Sequence, residues 1–371
     1  MRRFQTLWRA LTLGLILVMA GGLFVGKTAK AENYVAEDTI TLDGVTYTCN
    51  FTSSGNAEIF CITADTNTTR VAVPETLTHD NRNYTVVKIS FGSSCSGDNV
   101  TEFSFPNTLQ NMTGWGFKNF QKVTELTIPG SIKDFAFSLQ NSNIRKLTLS
   151  EGVESIIQNS PVANTPVEEI ILPSTLKTLG PAAFSGATQL KTIDLPEGVT
   201  LADNATGIFS DCSSLTHIRL PASINRLASS MFTNCTALTS IDLPASVTQI
   251  PSSAFSGCTS LKTVTAESPI TKIGANAFQE CAALKTIPDL SRVTELGASA
   301  FYECKALRCD VNLSSLKKLE ACVFSYTQVT VTDFCDTLES IGKWALIGAT
   351  VKAELPPTLQ SIGSYAFFDC T

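Results

Sequence analysis

Phe209, Phe232, Phe255, Phe278, Phe301 and Phe324 follow one another at intervals of 23 residues, and Cys212, Cys235, Cys258, Cys281 and Cys304 keep the same interval. A period this constant leaves few architectures open, because a chain that repeats one short sentence folds as a stack of one short unit. The cleanest copy covers residues 238–260 and reads LTSIDLPASVTQIPSSAFSGCTS. Leu238, Ile241, Leu243, Val247, Ile250, Ala254, Phe255 and Cys258 recur as apolar in the neighbouring copies, while the positions between them drift among Ser, Thr, Asp, Lys and Glu. One such unit cannot enclose its own apolar side, so copies must stack to bury a continuous core.

The local pattern assigns each part of the unit. Ile241 and Leu243 lie two apart and share one face of a short strand over residues 238–243. Pro244, which lacks a backbone N–H, suits the end of that strand or the turn after it. Residues 247–250 read as a second extended piece. Ala254, Phe255 and Cys258 fall at helical spacing, which predicts one or two helical turns on the outer side.

With leucine, proline, phenylalanine and cysteine at these places, the unit resembles the leucine-rich repeats of the BspA-like, Treponema-type family, whose consensus is close to LxxIxLPxxVxxIGxxAFxxC. The resemblance covers residues 100–371, in about twelve units that start near Val100, Val123, Ile144, Val167, Leu190, Leu215, Leu238, Leu261, Leu284, Leu307, Val329 and Thr350. It implies an α/β leucine-rich-repeat solenoid, with short parallel strands on a concave inner face and short helical or 3-10 turns on the convex side. It also implies a secreted or surface protein that binds other macromolecules.

Residues 1–31 carry Arg2, Arg3, Arg9, Lys27 and Lys30, no acid, and an apolar run over residues 11–25. That run is short for a membrane span, which needs about 20 residues. With Ala29-Lys30-Ala31 as a cleavage site, it reads as a secretory signal peptide. Its removal takes five of the 27 basic residues and leaves 22 against 33 acidic ones, a net charge of −11. So acidic a surface repels phosphate backbones, which excludes nucleic acid as a partner class. No later segment is long and apolar enough to span a membrane.

Twelve cysteines in an exported chain invite a disulfide reading. Cysteines stacked in register would have parallel Cβ vectors, however, whereas a disulfide needs them to converge to about 3.8 Å. The ladder therefore reads as buried free thiols packed as small hydrophobes. No His or carboxylate recurs beside it, so no metal or cofactor is expected.

Residues 32–99 read as a β-rich N-terminal cap for the first unit. Val45, Tyr47, Cys49 and Phe51 alternate with polar residues before the turn Ser53-Ser54-Gly55-Asn56, and Ile59 and Cys61 alternate after it. A turn centred on Gly55 pairs Phe51 with Ile59 and Cys49 with Cys61, which makes the two cysteines either a disulfide or neighbours in the cap core. Residues 71–74 and 84–89 read as two further strands. Some units are irregular. Pro161 and Val162 replace Ala-Phe in the Ile144 unit, which predicts an outer turn that loops out, while Asp289 and Asp310 at apolar positions predict shifted strand register. The sequence stops at Cys370-Thr371 without a closing cap, so either a longer protein continues or the last unit presents an open edge.

Catalysis needs a nucleophile, a base and an orienting group. The two histidines, His79 in the cap and His217 about six units away, do not form a shared site with a serine and an aspartate. Binding has a better basis, because residues between the buried strand positions point to the opposite, concave face. Glu169, Thr192, Asp194, His217, Arg219, Ser240, Asp242, Thr263 and Thr265 are the candidates there. Among them His217 and Arg219 form a basic pair suited to an acidic partner. No aromatic cluster marks a hot spot on this face, so affinity would come from many modest contacts. The expected function is non-catalytic binding or adhesion to a protein or other macromolecule, including host extracellular or cell-surface proteins. The alternatives are a spacer presenting a further module and an exported enzyme with an unrecognised site.

Overall fold

The computed structural model describes residues 33–157 and 159–371. The secretory leader expected over residues 1–31 lies outside them. The described chain opens with strands β1 (Tyr34–Leu42), β2 (Val45–Thr52), β3 (Asn56–Ala64), β4 (Arg70–Ala72), β5 (Thr76–His79), β6 (Arg82–Phe91), β7 (Glu102–Ser104) and β8 (Asn111–Gly114). One sheet has the order β1-β2-β3-β6-β5, and β8 joins it by pairing with β6. β1 has no apolar alternation and is exposed along most of its length, so backbone pairing to β2 holds it in place. β6 runs parallel to β3 and β8, and β4 runs parallel to β7, so side-by-side parallel pairing begins among these first strands.

The β2–β3 hairpin corrects the expected register. A bulge between Thr48 and Cys49 puts Phe51 opposite Ala57, Cys49 opposite Ile59 and Thr48 opposite Cys61. The extra residue of a bulge shifts every later pair, so Cys49 and Cys61 do not face each other. Both thiols are free. Cys61 neighbours Cys95 instead, and its sulfur accepts a 3.4 Å hydrogen bond from Ser94 Oγ.

Beyond these first strands the chain winds into a solenoid of about twelve turns. Each regular coil contributes to three ladders. The first is parallel and joins the opening strands in register, such as Glu125–Ile128, Lys146–Leu149 and Glu169–Ile171. The second joins two-residue strands such as Gln249–Ile250, Lys272–Ile273 and Glu295–Leu296.

The third ladder replaces the helical turns expected on the convex side. Among the described residues the one helical segment is the short 3-10 turn Gly116–Asn119. In the Leu238 coil, Ser253 and Gly257 have left-handed φ values of +56° and +74°, which no α-helix accommodates. The N–H groups of Ser253, Phe255 and Gly257 donate to Ala275, Ala277 and Gln279 of the next coil at 2.9, 2.8 and 2.8 Å. Those of Ala254, Ser256 and Cys258 close tight turns onto Pro251, Ser253 and Phe255. Apolar spacing could not separate this arrangement from a helix, because both bury Ala254, Phe255 and Cys258. The Ile144 coil keeps the ladder too. Ser160 N–H donates to Ala182 O, and buried Val162 takes the phenylalanine slot, so this turn does not loop out.

Irregularity does occur at the two aspartates. The Leu284 coil forms no opening strand, only an isolated bridge between Thr263 and Thr286, and exposed Asp289 accepts hydrogen bonds from the backbone and hydroxyl of Ser291. Exposed Asp310 opens a strand whose pairing slips after Val311.

Side chains complete the spine. From Phe184 to Phe324 the rings stack nearly parallel, with centroids 5.2 to 5.5 Å apart. Beside them the Cys235, Cys258, Cys281 and Cys304 thiols donate to the carbonyls of Phe209, Phe232, Phe255 and Phe278 one coil back, at 3.0 to 3.1 Å. Each of those carbonyls also closes its own turn, so a thiol supplies a second bond to an acceptor with two lone pairs. Coils also approach closely beside the second ladder, where a Cβ on Gly297 would lie 2.3 Å from Ala275 N. Gly297→Val is expected to cost about 1–3 kcal/mol through overpacking, seen as a lowered urea midpoint, whereas an unchanged midpoint would mean the coils stand farther apart.

Candidate binding face

The first ladder presents alternate residues outward because successive strand side chains point to opposite faces. Ile193, Ile218, Ile241 and Val264 point inward and are buried, so their neighbours on either side are turned to the outside. Thr192 pairs with His217 and Asp194 with Arg219, giving one cross-strand quartet. Ser240 pairs with Thr263 and Asp242 with Thr265, giving a second. Glu169 stands apart on the earlier three-stranded ladder, where its carboxylate lies 2.9 Å from Lys146 Nζ.

The quartets are not a simple basic patch. Arg219 lies 2.6 Å from the Glu197 carboxylate, and Asp242 accepts a hydrogen bond from Thr265 Oγ1. His217, Arg219, Asp242 and Glu267 line one shallow groove of about 600 Å³, together with Pro244 and Ser246. Two carboxylates and one guanidinium around a histidine make a mixed-charge surface rich in hydrogen-bonding groups. Its exposed ion pairs contribute little to stability, since such pairs are worth about 0–1 kcal/mol, so they are free to be exchanged for a partner's groups.

The other histidine ends β5 on the N-terminal sheet. His79 stacks on Phe51 at 4.8 Å, and its Nδ1 lies 2.9 Å from the Asp38 carboxylate. Asp38 is held below the usual carboxylate range by the Thr39 N–H and by His79. Among the described residues no group of three or more His, Cys, Asp or Glu side chains is arranged to hold a metal.

A second surface was not anticipated from the sequence. Tyr302, Tyr326, Trp344, Tyr365 and Phe368 gather along the turn ladder near the end of the chain. The available signal was positional. Tyr302 and Phe368 directly follow Phe301 and Phe367, and the turn residues on either side of that slot are smaller in most other coils.

Stacked short parallel strands closed by tight turns around a leucine-rich spine define a leucine-rich-repeat β-solenoid. The family profile described as "BspA type Leucine rich repeat region (6 copies)" matches residues 88–206, 157–285, 205–308 and 248–371. The chain belongs to this BspA-type leucine-rich-repeat family. Among solved structures it is similar to a leucine-rich repeat protein from Bacteroides ovatus, at 24% identity over 89% of this chain and 92% of that one, with a TM-score of 0.59. It is also similar to a leucine rich cell surface protein from Faecalibacterium prausnitzii, at 19% identity over 87% of this chain and 96% of that one, with a TM-score of 0.47. The T. pallidum leucine-rich repeat protein matches at 19% identity over 64% of this chain and 87% of that one, with a TM-score of 0.37. No curated protein matches the chain.

Proposed function

We propose that this protein is a non-catalytic recognition protein, exported from the cell or held at its surface, that binds another macromolecule through the outward face of its first strand ladder. The observation that carries this reading is the pair of in-register quartets around His217, Arg219, Asp242 and Thr265, mounted on buried isoleucines and a valine. A face held this rigidly adds little ordering cost on binding, which lets many modest contacts sum.

Its chemistry selects the partner. The acidic chain disfavours nucleic acid, and mixed polar groups without a deep cavity suit a protein surface. Extracellular or host-surface proteins are the partner class, in keeping with an exported member of this family. Family membership and the separate engagement of His79 in the cap support a role without chemistry.

Immobilised mature chain should retain a protein from a panel of purified extracellular-matrix and cell-surface proteins. The double variant His217→Glu, Arg219→Glu should lose about tenfold or more in affinity while its Tm stays within about 2 °C of wild type, because both residues are exposed. Affinity that ignores this charge reversal would remove the quartet from the binding face.

A further inference from the structure

Cys61 near the end of β3 and Cys95 in the turn after β6 belong to segments that two backbone bonds hold side by side. Ser96 N–H donates to Ile62 O at 3.0 Å and Ala64 N–H donates to Ser96 O at 2.9 Å, which sets Ser96 beside Thr63 in a parallel bridge. Cys95 therefore stands level with Ile62, one residue along from Cys61. Adjacent strands lie about 4.8 Å apart and each residue advances about 3.3 Å, so the two Cα atoms are about 5.8 Å apart. A disulfide spans roughly 4.4–6.8 Å between Cα atoms. Strand alternation alone would turn Cys95 away from Cys61, but the chain at Cys95 is a turn, closed by Cys95 N–H onto Gly92 O at 3.4 Å. Both thiols are buried, at 9% exposed for Cys61 and 2% for Cys95. The hydroxyl of Ser94, next to Cys95 in the chain, reaches the Cys61 sulfur at 3.4 Å. Burial pushes the Cys95 thiol up to about 11, and the Cys61 thiol beside it adds to that rise.

We propose that Cys61 and Cys95 are joined by a disulfide in the exported protein, clamping β3 to the segment that leads into the first coil. The inference draws on export for its oxidant, a small-molecule or protein disulfide. Cys61, the more exposed of the two, attacks one sulfur of that oxidant as its thiolate, the old S–S bond breaks and one thiol leaves. The Cys95 thiolate then attacks the Cys61 sulfur of the mixed disulfide and releases the second thiol. The two cysteines lose two protons and two electrons, which the oxidant gains as two thiols. Closing the loop over residues 62–94 removes freedom from the unfolded chain and so stabilises the fold. The ladder thiols stay reduced, since Cys235 and Cys258 already donate to carbonyls one coil back at 3.1 and 3.0 Å.

The test refolds the mature chain from urea in a buffer of reduced and oxidised glutathione, then alkylates the remaining thiols. Digestion after glutamate cuts at Glu58 and Glu75 and so separates Cys49, Cys61 and Cys95. Mass mapping without reduction should show one disulfide, between the Cys61 and Cys95 peptides, with the other ten of the twelve cysteines alkylated. The oxidised chain should melt about 3 °C or more above the reduced chain. Cys95→Ala should abolish that gain, and Cys49→Ala should keep it. A Cys49–Cys61 bond, ladder bonds in place of Cys61–Cys95, or twelve alkylated thiols would each overturn the proposal. Glutathione supplies the oxidant here, so a negative result counts against the cysteine pair and leaves export and the strand-face reading untouched.

Discussion

Phe255→Ala is expected to lower the unfolding free energy by about 3–5 kcal/mol, the cost of truncating an aromatic in a core that cannot collapse around the hole. Phe255 is fully buried between Phe232 at 5.5 Å and Phe278 at 5.3 Å, with all three rings nearly parallel. Removing it opens a cavity that neither neighbour can fill, because the backbones on both sides are pinned by turn-ladder bonds from Phe232 N to Ala254 O and from Phe255 N to Ala277 O. Phe368→Ala is the matched control. That ring is 59% exposed, and its loss should change stability by no more than about 0.5 kcal/mol. Urea unfolding of both variants checks the pair. Equal small effects would show that the phenylalanine column does not form the spine.

Alkaline pH should destabilise the stack steeply. Burial pushes the Cys212 and Cys258 thiols up to about 12 and raises Cys235, Cys281 and Cys304 as well, from an ordinary value of 9.0. The unfolded chain therefore loses these protons from about pH 9 upward while the folded chain keeps them. Fewer protons on the unfolded state mean stability that is fully present below pH 9 and is lost as pH climbs toward 12. Each thiol contributes about 1.4 kcal/mol per pH unit inside that window. Urea unfolding under reducing conditions from pH 8 to 11 should show the loss. Cys258→Ala should lessen the slope by about 1.4 kcal/mol per pH unit, because tyrosine and lysine titrations are common to both chains. An unchanged slope would mean that Cys258 ionises freely in the folded protein.

The coil was legible because the same contacts recur in every copy. Ile241, Leu243, Val247, Ile250, Phe255 and Cys258 are apolar for one reason, burial against the coils above and below, so periodicity reports them directly. Backbone handedness carries no such signature. Left-handed Ser253 and Gly257 turn an apparent helix into a hydrogen-bonded turn ladder without changing which residues are buried. β1 escaped notice because pairing to β2 holds it rather than burial, and one bulge after Thr48 moved Cys61 away from Cys49. On the strand face, alternation identified the outward residues, but the Arg219–Glu197 pair could not be read from the strand positions, since Glu197 lies beyond the strand in the preceding coil. The aromatic groove was hidden for a different reason. Tyr326, Trp344 and Tyr365 occupy turn positions whose exposure is set by the left-handed turn geometry, which the apolar period does not report.

The proposed binding surface is the outward face of the first ladder. Site-specific photo-crosslinking separates it from the rest of the molecule, with a photoreactive residue placed in turn at Thr265, at Asp194 and, on the turn ladder, at Glu280. All three positions are exposed. Adducts with an extracellular protein are expected from Thr265 and Asp194, suppressed by unlabelled chain and absent from Glu280. Adducts from Glu280 alone, with none from the strand positions, would contradict it.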